Sequence, residues 1–519
     1  MAPPVQLSVL DFPLPRIHFH AVIPLALLAY LIVKPLIQTL LSPLRRVPGP
    51  FLTRFTCLYE LYAMRKHDFA TYNIDLHERY GPIVRLAPNR YSINNAEAAK
   101  TILGHQNALD KSGYYFPFGS PFATNSFSEP RIREHAKLRR PSAGLYSNTQ
   151  LLSYEPFVDT CNNILLKRLK EYASNRKDLD VRELMQFYAF DVIGEITMGS
   201  RFGLMEDGGD KFGIISAIDE GNIYAAHVGY VPKLHSVLGH MTNFLGIKNS
   251  IVRIIEFVTS RIDDRVNGRT KSPSDRQDFI DKMLLLETAG KATRNSTQLA
   301  CLQNVTAGSD TTAISLAATF AYLTMNPSCL ATLRTELEDA AAKGELSDPV
   351  TFKQAQKLPY LQAVIQEALR LHPAVGAPMT RVVGPGGATL AGQFFPAGTE
   401  VGVNSWVIHR NTSIFGPDAH AFRPERWLTP DAQERAHLER NFLAFGAGPR
   451  VCIGKNISLL EMCKVVPQIV RRFEFEMVKG GAQEEKGKGG IGVTGYTWKT
   501  YWFTKQDFRC HVREREKRE

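Results

Sequence analysis

The segment FLAFGAGPRVCIG, residues 442–454, holds the side chain with the clearest potential for chemistry, the thiol of Cys452. A lone cysteine is usually a small apolar core residue. Here its neighbours indicate another role, because Arg450 lies two residues before it and glycines surround it. These are Gly446, Gly448 and Gly454. Glycines permit positive φ and close backbone approach, so such a loop can lie flat against a large planar ligand. Backbone N–H groups in the same turn can stabilise a thiolate that binds a metal.

A second set of reactive side chains, Asp310 and Thr311, lies in AGSDTT at residues 307–312. The motif occupies the middle of residues 296–325, which the sequence predicts as a long helix ended by Asn326-Pro327. By pattern alone Gly308 is an interruption that serves helix packing. The motif therefore gains a functional meaning only beside Cys452.

Two further motifs are charged. Glu367 and Arg370 share one face of a predicted helix, residues 361–371, and FRPERW follows at residues 422–427. His135 and Arg139 lie four apart in the basic segment RIREHAKLRRP. Each pattern alone is typical of a solvated helix face, so neither identifies a site without a wider context.

The elements that must position these residues are mainly helical with small β-sheets. Residues 83–94 predict a strand pair around Pro88-Asn89, and residues 381–406, rich in Gly, Val and Thr, predict a β-meander. Residues 453–475 return to helix. We find no internal repeat.

Composition narrows the function classes. The 519-residue chain has 44% hydrophobic and 22% charged residues, which suits a protein with a large core. A net charge of +11 favours an acidic partner, an anionic membrane or nucleic acid. Nucleic acid is not expected, because zinc-finger spacing, an RNP motif and a basic stripe with aromatics are all missing from the sequence. Seven scattered cysteines argue against a disulfide framework and favour a reducing compartment.

The N-terminus predicts a membrane anchor. Residues 21–33 are apolar without a break, a helix of about 20 Å that a snorkelling Lys34 would lengthen towards the roughly 30 Å hydrocarbon core. A cleaved signal peptide or an interfacial helix is the alternative. The charges that follow place the body of the protein in the cytoplasm. We therefore predict an anchor and hinge at residues 1–47 and a catalytic domain at residues 48–519, separated by Pro48-Gly49-Pro50.

The cysteine segment resembles the haem-binding signature F-x-x-G-x-R-x-C-x-G of the cytochrome P450 family. The matching residues are Phe445, Gly448, Arg450, Cys452 and Gly454. One departure is Ser458, where the extended pattern often has alanine. The resemblance extends from Pro48 to about Phe508, and it implies the P450 fold, haem b and Cys452 as the axial thiolate, with Phe445 packed on the same side of the haem.

The other motifs then acquire implied roles. AGSDTT resembles the family motif over the distal haem face, where Gly308 would open the helix and Asp310 and Thr311 would deliver protons during oxygen activation. Glu367, Arg370 and Arg426 would form a buried charged triad with a structural role. Four residues would bind the haem propionates: His135, Arg139, Arg381 and Arg450. Arg140 is an alternative to Arg139, and His135 stands where the family often has tryptophan.

The substrate pocket is harder to identify. A Gly/Pro/Ser-rich loop carries aromatic residues that could be core side chains or a pocket lid, and the stretch after the Glu367 helix would pass near the haem. The predicted pocket residues are Tyr115, Phe116, Ala307, Val375 and Met379.

HAKLRRPSAGLYS at residues 135–147 and TRVVGPGG at residues 380–387 resemble the pisatin-demethylase-like fungal branch of the family. This likeness implies a monooxygenase of fungal secondary metabolism that uses O2 for C–H hydroxylation or oxidative O-demethylation of a small lipophilic substrate. Electrons would come from NADPH through a diflavin reductase, NADPH-cytochrome P450 reductase, with cytochrome b5 as a second candidate partner. Lys455 and Lys464 could meet the acidic surface of the reductase at the endoplasmic reticulum membrane.

Two other functions are compatible with the sequence. One is a haem-binding sensor or carrier without turnover. The other keeps the fold but acts as an isomerase or dehydratase without a reductase. The complete Asp310–Thr311 pair argues for oxygen activation.

Overall fold

The computed structural model describes residues 29–30, 33–66, 68–106, 108–247, 250–271, 276–478 and 496–516. Within these ranges the chain is mainly helical with small β-sheets, which confirms the predicted class. The helices are α1 (33–41), α2 (Leu58–Arg65), α3 (Phe69–Tyr80), α4 (Ala96–Leu103), α5 (Ile132–Ala143), α6 (Asn148–Asn175), α7 (Val181–Met198), α8 (Leu204–Asp207), α9 (Ile214–Val228), α10 (Pro232–Phe244), α11 (Ser250–Val266), α12 (Phe279–Thr288), α13 (Arg294–Met325), α14 (Pro327–Ala342), α15 (Phe352–Ala355), α16 (Pro359–Leu371), α17 (Ser405–Ile408), α18 (Thr412–Phe415), α19 (Ala432–Arg440) and α20 (Lys455–Arg472). Short 3-10 helices lie at Phe51–Arg54, Gly113–Phe118, Gly144–Tyr146, Pro424–Leu428 and Gly448–Arg450.

The strands found in the described ranges are short and form four sheets. They are β1 (Ile83–Ala87), β2 (Arg90–Ile93), β3 (Asp110–Lys111), β4 (Leu179–Asp180), β5 (Met379–Val382), β6 (Ala388–Leu390), β7 (Gln393–Phe395), β8 (Glu400–Val403), β9 (Phe473–Met477), β10 (Thr497–Thr500), β11 (Thr504–Asp507) and β12 (Arg509–Glu514). The largest sheet has the order β1-β2-β8-β5-β3; the others are β4-β12-β9, β6-β7 and β10-β11. Only β2 and β8 pair in parallel within these sheets.

The predicted strand pair and long helices are confirmed. β1 and β2 pair antiparallel, with Ile83 opposite Ile93. α13 begins at a capping box formed by Thr293 and Ser296, and it ends before Asn326-Pro327. α16 ends before His372-Pro373, where the proline ring disfavours a helical residue in front of it.

Two element boundaries differ from the prediction. Residues 381–406 do not form one meander, because β5 pairs with β8 in the large sheet while β6 and β7 form a separate hairpin. The helix predicted for residues 453–475 is shorter, since Phe473 starts β9 and pairs with Glu514 of β12. In both places pairing with a distant strand overrides the local pattern.

α13 is the central helix. Most of its buried apolar side chains belong to the largest apolar cluster, together with residues of α6, α7, α16 and α20. Its contact with α7 is close, because a Cβ added at Gly308 would lie 3.2 Å from Ile193. The helix therefore has a fixed position across the middle of the molecule.

The predicted anchor, residues 21–33, lies almost entirely outside the described residues. In the described part of the chain, the helices lack the combination of length and apolar character that crossing a bilayer requires. Leu44 and Val47 are buried in the body, and Arg85 donates from Nη2 to the Leu44 carbonyl at 2.5 Å. The boundary at residue 47 between an anchor segment and the catalytic domain stays a prediction.

Candidate functional site

A cavity of about 860 Å³ lies between α13 and the segment that carries Cys452. The other walls come from α9, α10, the loop around residues 115–127 and the turn between β10 and β11. Most of the surface that lines it is apolar. Such a cavity suits a ligand that is largely hydrophobic.

The Cys452 loop is held by its own backbone. The Cys452 N–H donates to the Phe445 carbonyl at 2.9 Å, and the Gly446 N–H donates to the Leu443 carbonyl at 2.9 Å. The accessible surface of Cys452 faces the cavity rather than bulk solvent. The loop therefore presents one sulfur atom to whatever fills the cavity.

Opposing effects act on the Cys452 thiol. Burial raises its pKa, whereas the backbone N–H of Gly454, the charge of Arg139, and the N–H and charge of Lys455 lower it. The two N–H groups lie at the start of α20, where backbone donors are not used by the helix itself. They therefore provide hydrogen bonds for a sulfur anion, as a metal-bound thiolate requires.

Gly448 lets this loop approach the end of α4. Its φ is +66°, and an added Cβ would lie 2.0 Å from the Leu103 carbonyl oxygen. No side chain fits there without moving one of the two segments. The glycine of the motif is thus explained by a contact that joins the cysteine loop to the neighbouring helix.

Five basic residues line the same cavity: Lys111, His135, Arg139, Arg381 and Arg450. Burial is the main cause of a lowered pKa in each of them. The pKa of His135 falls to about 4, and the charge of Arg450 contributes to this after burial. The pKa of Arg450 falls to about 10, and the charge of Arg381 contributes in the same way. Mutual repulsion between cations is therefore part of this site.

Four of these residues donate to backbone carbonyls, and Lys111 Nζ also lies 4.1 Å and 3.9 Å from the ring centroids of Tyr115 and Phe127. Arg139 donates to the Val451 carbonyl at 2.7 Å, Arg450 to that of Glu129 at 2.8 Å, Lys111 to that of Phe127 at 2.6 Å and Arg381 to that of Thr380 at 2.9 Å. Among the described residues, none of the five makes an ion pair with a carboxylate. Four cations that are wholly or partly buried and lack a carboxylate partner favour an anionic ligand. His135, with its pKa near 4, is neutral at pH 7 and can offer an N–H to the same ligand. A planar group with two carboxylates, such as haem with its propionates, fits this requirement.

Sequence reasoning identified four of these basic residues and missed Lys111. Its position follows from strand pairing, since Lys111 of β3 lies opposite Arg381 of β5. No motif in the sequence connects the two. Arg140, the alternative to Arg139, is exposed and does not line the cavity.

On the opposite wall, α13 brings Ala307, Gly308 and Thr311 to the cavity. The Thr311 hydroxyl donates to the Ala307 carbonyl at 2.9 Å. The helix is continuous here, and Gly308 fits closely against Ile193 of α7, so the packing role applies to this glycine. Thr311 therefore presents an alcohol to a ligand in the cavity.

Asp310 faces away from the cavity. Gln186 donates to its Oδ1 at 2.5 Å, and Lys505 lies 3.3 Å from the same oxygen. Lys505 also lies 2.5 Å from Asp219, a residue whose pKa is raised by burial and, to a smaller extent, by Asp310. Asp310 and Thr311 are thus adjacent in sequence, but only Thr311 lines the cavity. The residues that hold Asp310 come from distant segments that no sequence motif links to it.

The predicted charged triad is assembled and buried. Arg370 donates to Glu367 from Nη2 at 2.7 Å and from Nε at 2.8 Å, and both side chains are 0% exposed. Arg426 approaches the same carboxylate at 3.4 Å, and the indole N–H of Trp427 donates to it at 2.9 Å. Arg370 also donates to the carbonyl of His409 at 2.5 Å. The carboxylate therefore joins α16 to the segments that precede the cysteine loop.

Four of the predicted pocket residues line the cavity: Tyr115, Ala307, Val375 and Met379. Phe116 does not, and the structure corrects this prediction. It is 40% exposed, because it lies in a 3-10 helix whose three-residue turn places Tyr115 and Phe118 on the inner face. Phe118, another of the loop aromatics that the sequence suggested as lid or core, lines the cavity. Three aromatic residues that the sequence did not identify line it too: Phe127, Trp502 and Phe503.

One of the two lysines predicted to meet a reductase is unavailable. Lys464 is buried and makes ion pairs of 2.8 Å with Glu155 and with Asp159. Lys455 is exposed beside Phe445, with its Nζ 5.6 Å from the ring centroid. α20 thus offers Lys455 at the surface but not Lys464.

Comparisons with known proteins agree with this site. The cytochrome P450 family model matches residues 47–497. The chain is 42% identical to a pisatin demethylase of Fusarium vanettenii over 504 residues, 95% of this chain and 93% of that protein. A second pisatin demethylase of that fungus is 39% identical over 508 residues, 95% of each chain. A cytochrome P450 monooxygenase of Aspergillus terreus is 35% identical over 484 residues, 88% of this chain and 96% of that protein.

Fold and site together define the class of haem-thiolate enzymes. The chain belongs to the cytochrome P450 family, and it is a haem-thiolate monooxygenase.

Proposed function

We propose that Cys452 is the axial ligand of the haem iron and that the enzyme inserts one oxygen atom of O2 into a small lipophilic molecule. The observation that carries this proposal is a single thiol facing a mostly apolar cavity that is edged by wholly or partly buried basic side chains without carboxylate partners. When bound, haem supplies oxygen activation, which a thiolate ligand favours by donating electron density. The five basic residues would hold its propionates.

Thr311 and Asp310 would have different roles in proton delivery. The Thr311 hydroxyl could pass its proton into the cavity by turning its O–H away from the Ala307 carbonyl, while its oxygen accepts the replacement proton. Asp310 would supply that proton from the far side of α13, where Lys505 and Asp219 connect it with the surface. Because Lys505 holds Asp310 in its present position, release of that ion pair would precede proton delivery.

The lining supports a lipophilic substrate with an aromatic part. Phe118, Phe127 and Trp502 form one cluster, in which ring centroids lie 4.6 Å to 6.0 Å apart. Aromatic walls of this kind favour flat apolar ligands. Two of the relatives are named for a demethylation, so we propose oxidative O-demethylation first and C–H hydroxylation second.

The face around Lys455 suits a reductase that draws electrons from NADPH. α5 packs beside the cysteine loop and presents three exposed cations at helical spacing: Arg133, Lys137 and Arg140. An acidic surface on a diflavin reductase would meet them, with a rate that falls as salt increases. Cytochrome b5 is a second candidate for this face.

Attachment to the endoplasmic reticulum membrane has support apart from the N-terminus. α10 and the residues after it expose apolar side chains that have no cover within the described chain: Val237, Met241, Phe244, Leu245 and Ile247. Phe244 alone is 89% exposed. An apolar patch of this kind favours a membrane surface. The catalytic domain would face the cytoplasm, as the basic residues after the apolar N-terminal run indicate.

The decisive experiment is the spectrum of the reduced protein under carbon monoxide. We expect a strongly red-shifted Soret band that Cys452→Ala abolishes and that Cys57→Ala retains. A Cys452→Ala protein that keeps the band would refute the ligand assignment.

A second experiment tests the proton role of Thr311. Thr311→Ala should keep the carbon monoxide band but divert oxygen to peroxide. Thr324→Ala removes the same kind of backbone hydrogen bond in α13 and should not divert oxygen. Equal product per NADPH in both threonine variants would refute it.

A further inference from the structure

Two buried nitrogen atoms in the wall formed by α9 and α10 have no hydrogen-bond partner among the described residues, His235 Nε2 and Asn222 Nδ2. Both residues line the cavity, and His235 is 5% exposed. An unpaired buried donor or acceptor costs about 1–3 kcal/mol unless a ligand or water satisfies it. This wall is therefore polar at one place in a cavity that is otherwise mostly apolar.

The His235 ring is held in a fixed orientation. Tyr224 of α9 also lines the cavity, and its hydroxyl lies 2.9 Å from His235 Nδ1. Burial lowers the pKa of His235, so the ring is neutral near pH 7. The carbonyls of Ser120 and Gly119 lie near the ring and raise this pKa in part, but neither forms a hydrogen bond of normal geometry with Nε2.

The protonation of the ring then depends on Tyr224. If the Tyr224 hydroxyl donates to Nδ1, Nε2 carries the proton and donates to a ligand oxygen. If Nδ1–H donates to Tyr224 instead, Nε2 accepts a hydrogen bond from a ligand hydroxyl. A hydroxyl group satisfies either arrangement, because it both donates and accepts.

We infer that His235, oriented by Tyr224, binds a hydroxyl group of the substrate at a distance from the carbon that is oxidised. The substrate class is thus narrowed to flat aromatic molecules that carry a free hydroxyl group in addition to the oxidised position. Asn222 provides a second polar contact on the same wall. This inference rests on the proposed monooxygenase function and adds the polar group by which the substrate is recognised.

The test uses two probes that differ by one hydroxyl group, 2-methoxynaphthalene and 6-methoxy-2-naphthol. Their dissociation constants are measured from the spin-state shift of the haem-loaded full chain. We expect the naphthol to bind the unchanged enzyme about three- to tenfold more tightly, the ratio that one neutral hydrogen bond supplies. His235→Leu should remove that ratio, and Tyr224→Phe should reduce it.

Two comparisons separate recognition from general damage. His235→Gln keeps a side-chain amide in place of the ring and should restore part of the preference. His240→Leu, on the same helix but exposed, should leave the preference unchanged. Equal affinities of the two probes for the unchanged enzyme, no binding of the naphthol, or a preference that survives His235→Leu would each overturn the inference. In those cases the carbon monoxide band stays intact, whereas failure of the proposed function removes the band itself.

Discussion

Replacing Glu367 by glutamine removes one negative charge from a place where two guanidinium groups are buried. The carboxylate accepts hydrogen bonds from Arg370, Arg426, Trp427 and the backbone of Arg423, at 2.7 Å to 3.4 Å. A glutamine keeps the shape of the side chain but turns one acceptor oxygen into a donor. We expect at least part of the Arg370 fork to face an N–H group instead of an oxygen.

The structure sets the size of the effect. Removing one partner of a buried ion pair costs about 3–5 kcal/mol, because the remaining charge stays buried. Two lost charge-assisted hydrogen bonds at about 1.5–3 kcal/mol each give a similar sum. Since whole proteins are stable by about 5–15 kcal/mol, Glu367→Gln should remove a large part of the stability.

Urea unfolding followed by tryptophan fluorescence measures this loss, and the carbon monoxide band reports how much folded holoenzyme remains. The matched control is Glu97→Gln, because Glu97 also pairs with a cation three residues on, Lys100 at 3.9 Å, but its side chain is 85% exposed. The control should change stability by less than about 0.5 kcal/mol. If both variants unfold at the same urea concentration as the unchanged protein, the triad is not a source of stability and our reasoning is wrong.

Three further predictions concern the cavity and the loop that carries the cysteine. Gly448→Ala should cost at least about 2 kcal/mol and lower haem content, because its φ is +66° and the added Cβ would collide with α4; urea unfolding and haem absorbance measure this. Arg139→Gln should weaken haem retention in a transfer assay to apomyoglobin, whereas Arg140→Gln should not, because only Arg139 lines the cavity. Burial lowers the pKa of His409 to about 3 in the folded protein. As the pH falls, this histidine is therefore protonated in the unfolded chain before it is protonated in the folded protein. The contribution of His409 to the free energy of unfolding is therefore complete above about pH 6.5 and smaller by about 2 kcal/mol at pH 5. Urea unfolding at the two pH values should show that His409→Gln loses less stability between them than the unchanged protein does.

A control variant or a specific result can refute each of these three predictions. Gly209→Ala has open space around it and an ordinary φ, so a loss as large as that of Gly448→Ala would exclude the steric explanation. Equal haem transfer from both arginine variants would remove Arg139 from the cofactor site. An unchanged pH slope in His409→Gln would mean that other groups cause the acid sensitivity, while His240→Gln, on the exposed face of α10, should keep the original slope.

Local spacing in the sequence was sufficient for much of the site. The cysteine motif and the Glu367–Arg370 pair each depend on residues within one loop or one helical turn, so their geometry follows from short-range rules. The long helix α13 and the strand pair β1–β2 were predictable for the same reason, because their boundaries coincide with proline and turn residues.

Tertiary structure alone decided which side chains share the cavity. Lys111 meets Arg381 because β3 pairs with β5, and Lys505 reaches Asp310 from the C-terminal hairpin. Phe116 is exposed because of the turn of its 3-10 helix. Such contacts depend on how distant segments pair and pack, which is set by burial over the whole chain rather than by any nearby residue. The sequence by itself therefore determined the chemistry of the enzyme, and the packing of the chain determined what surrounds that chemistry.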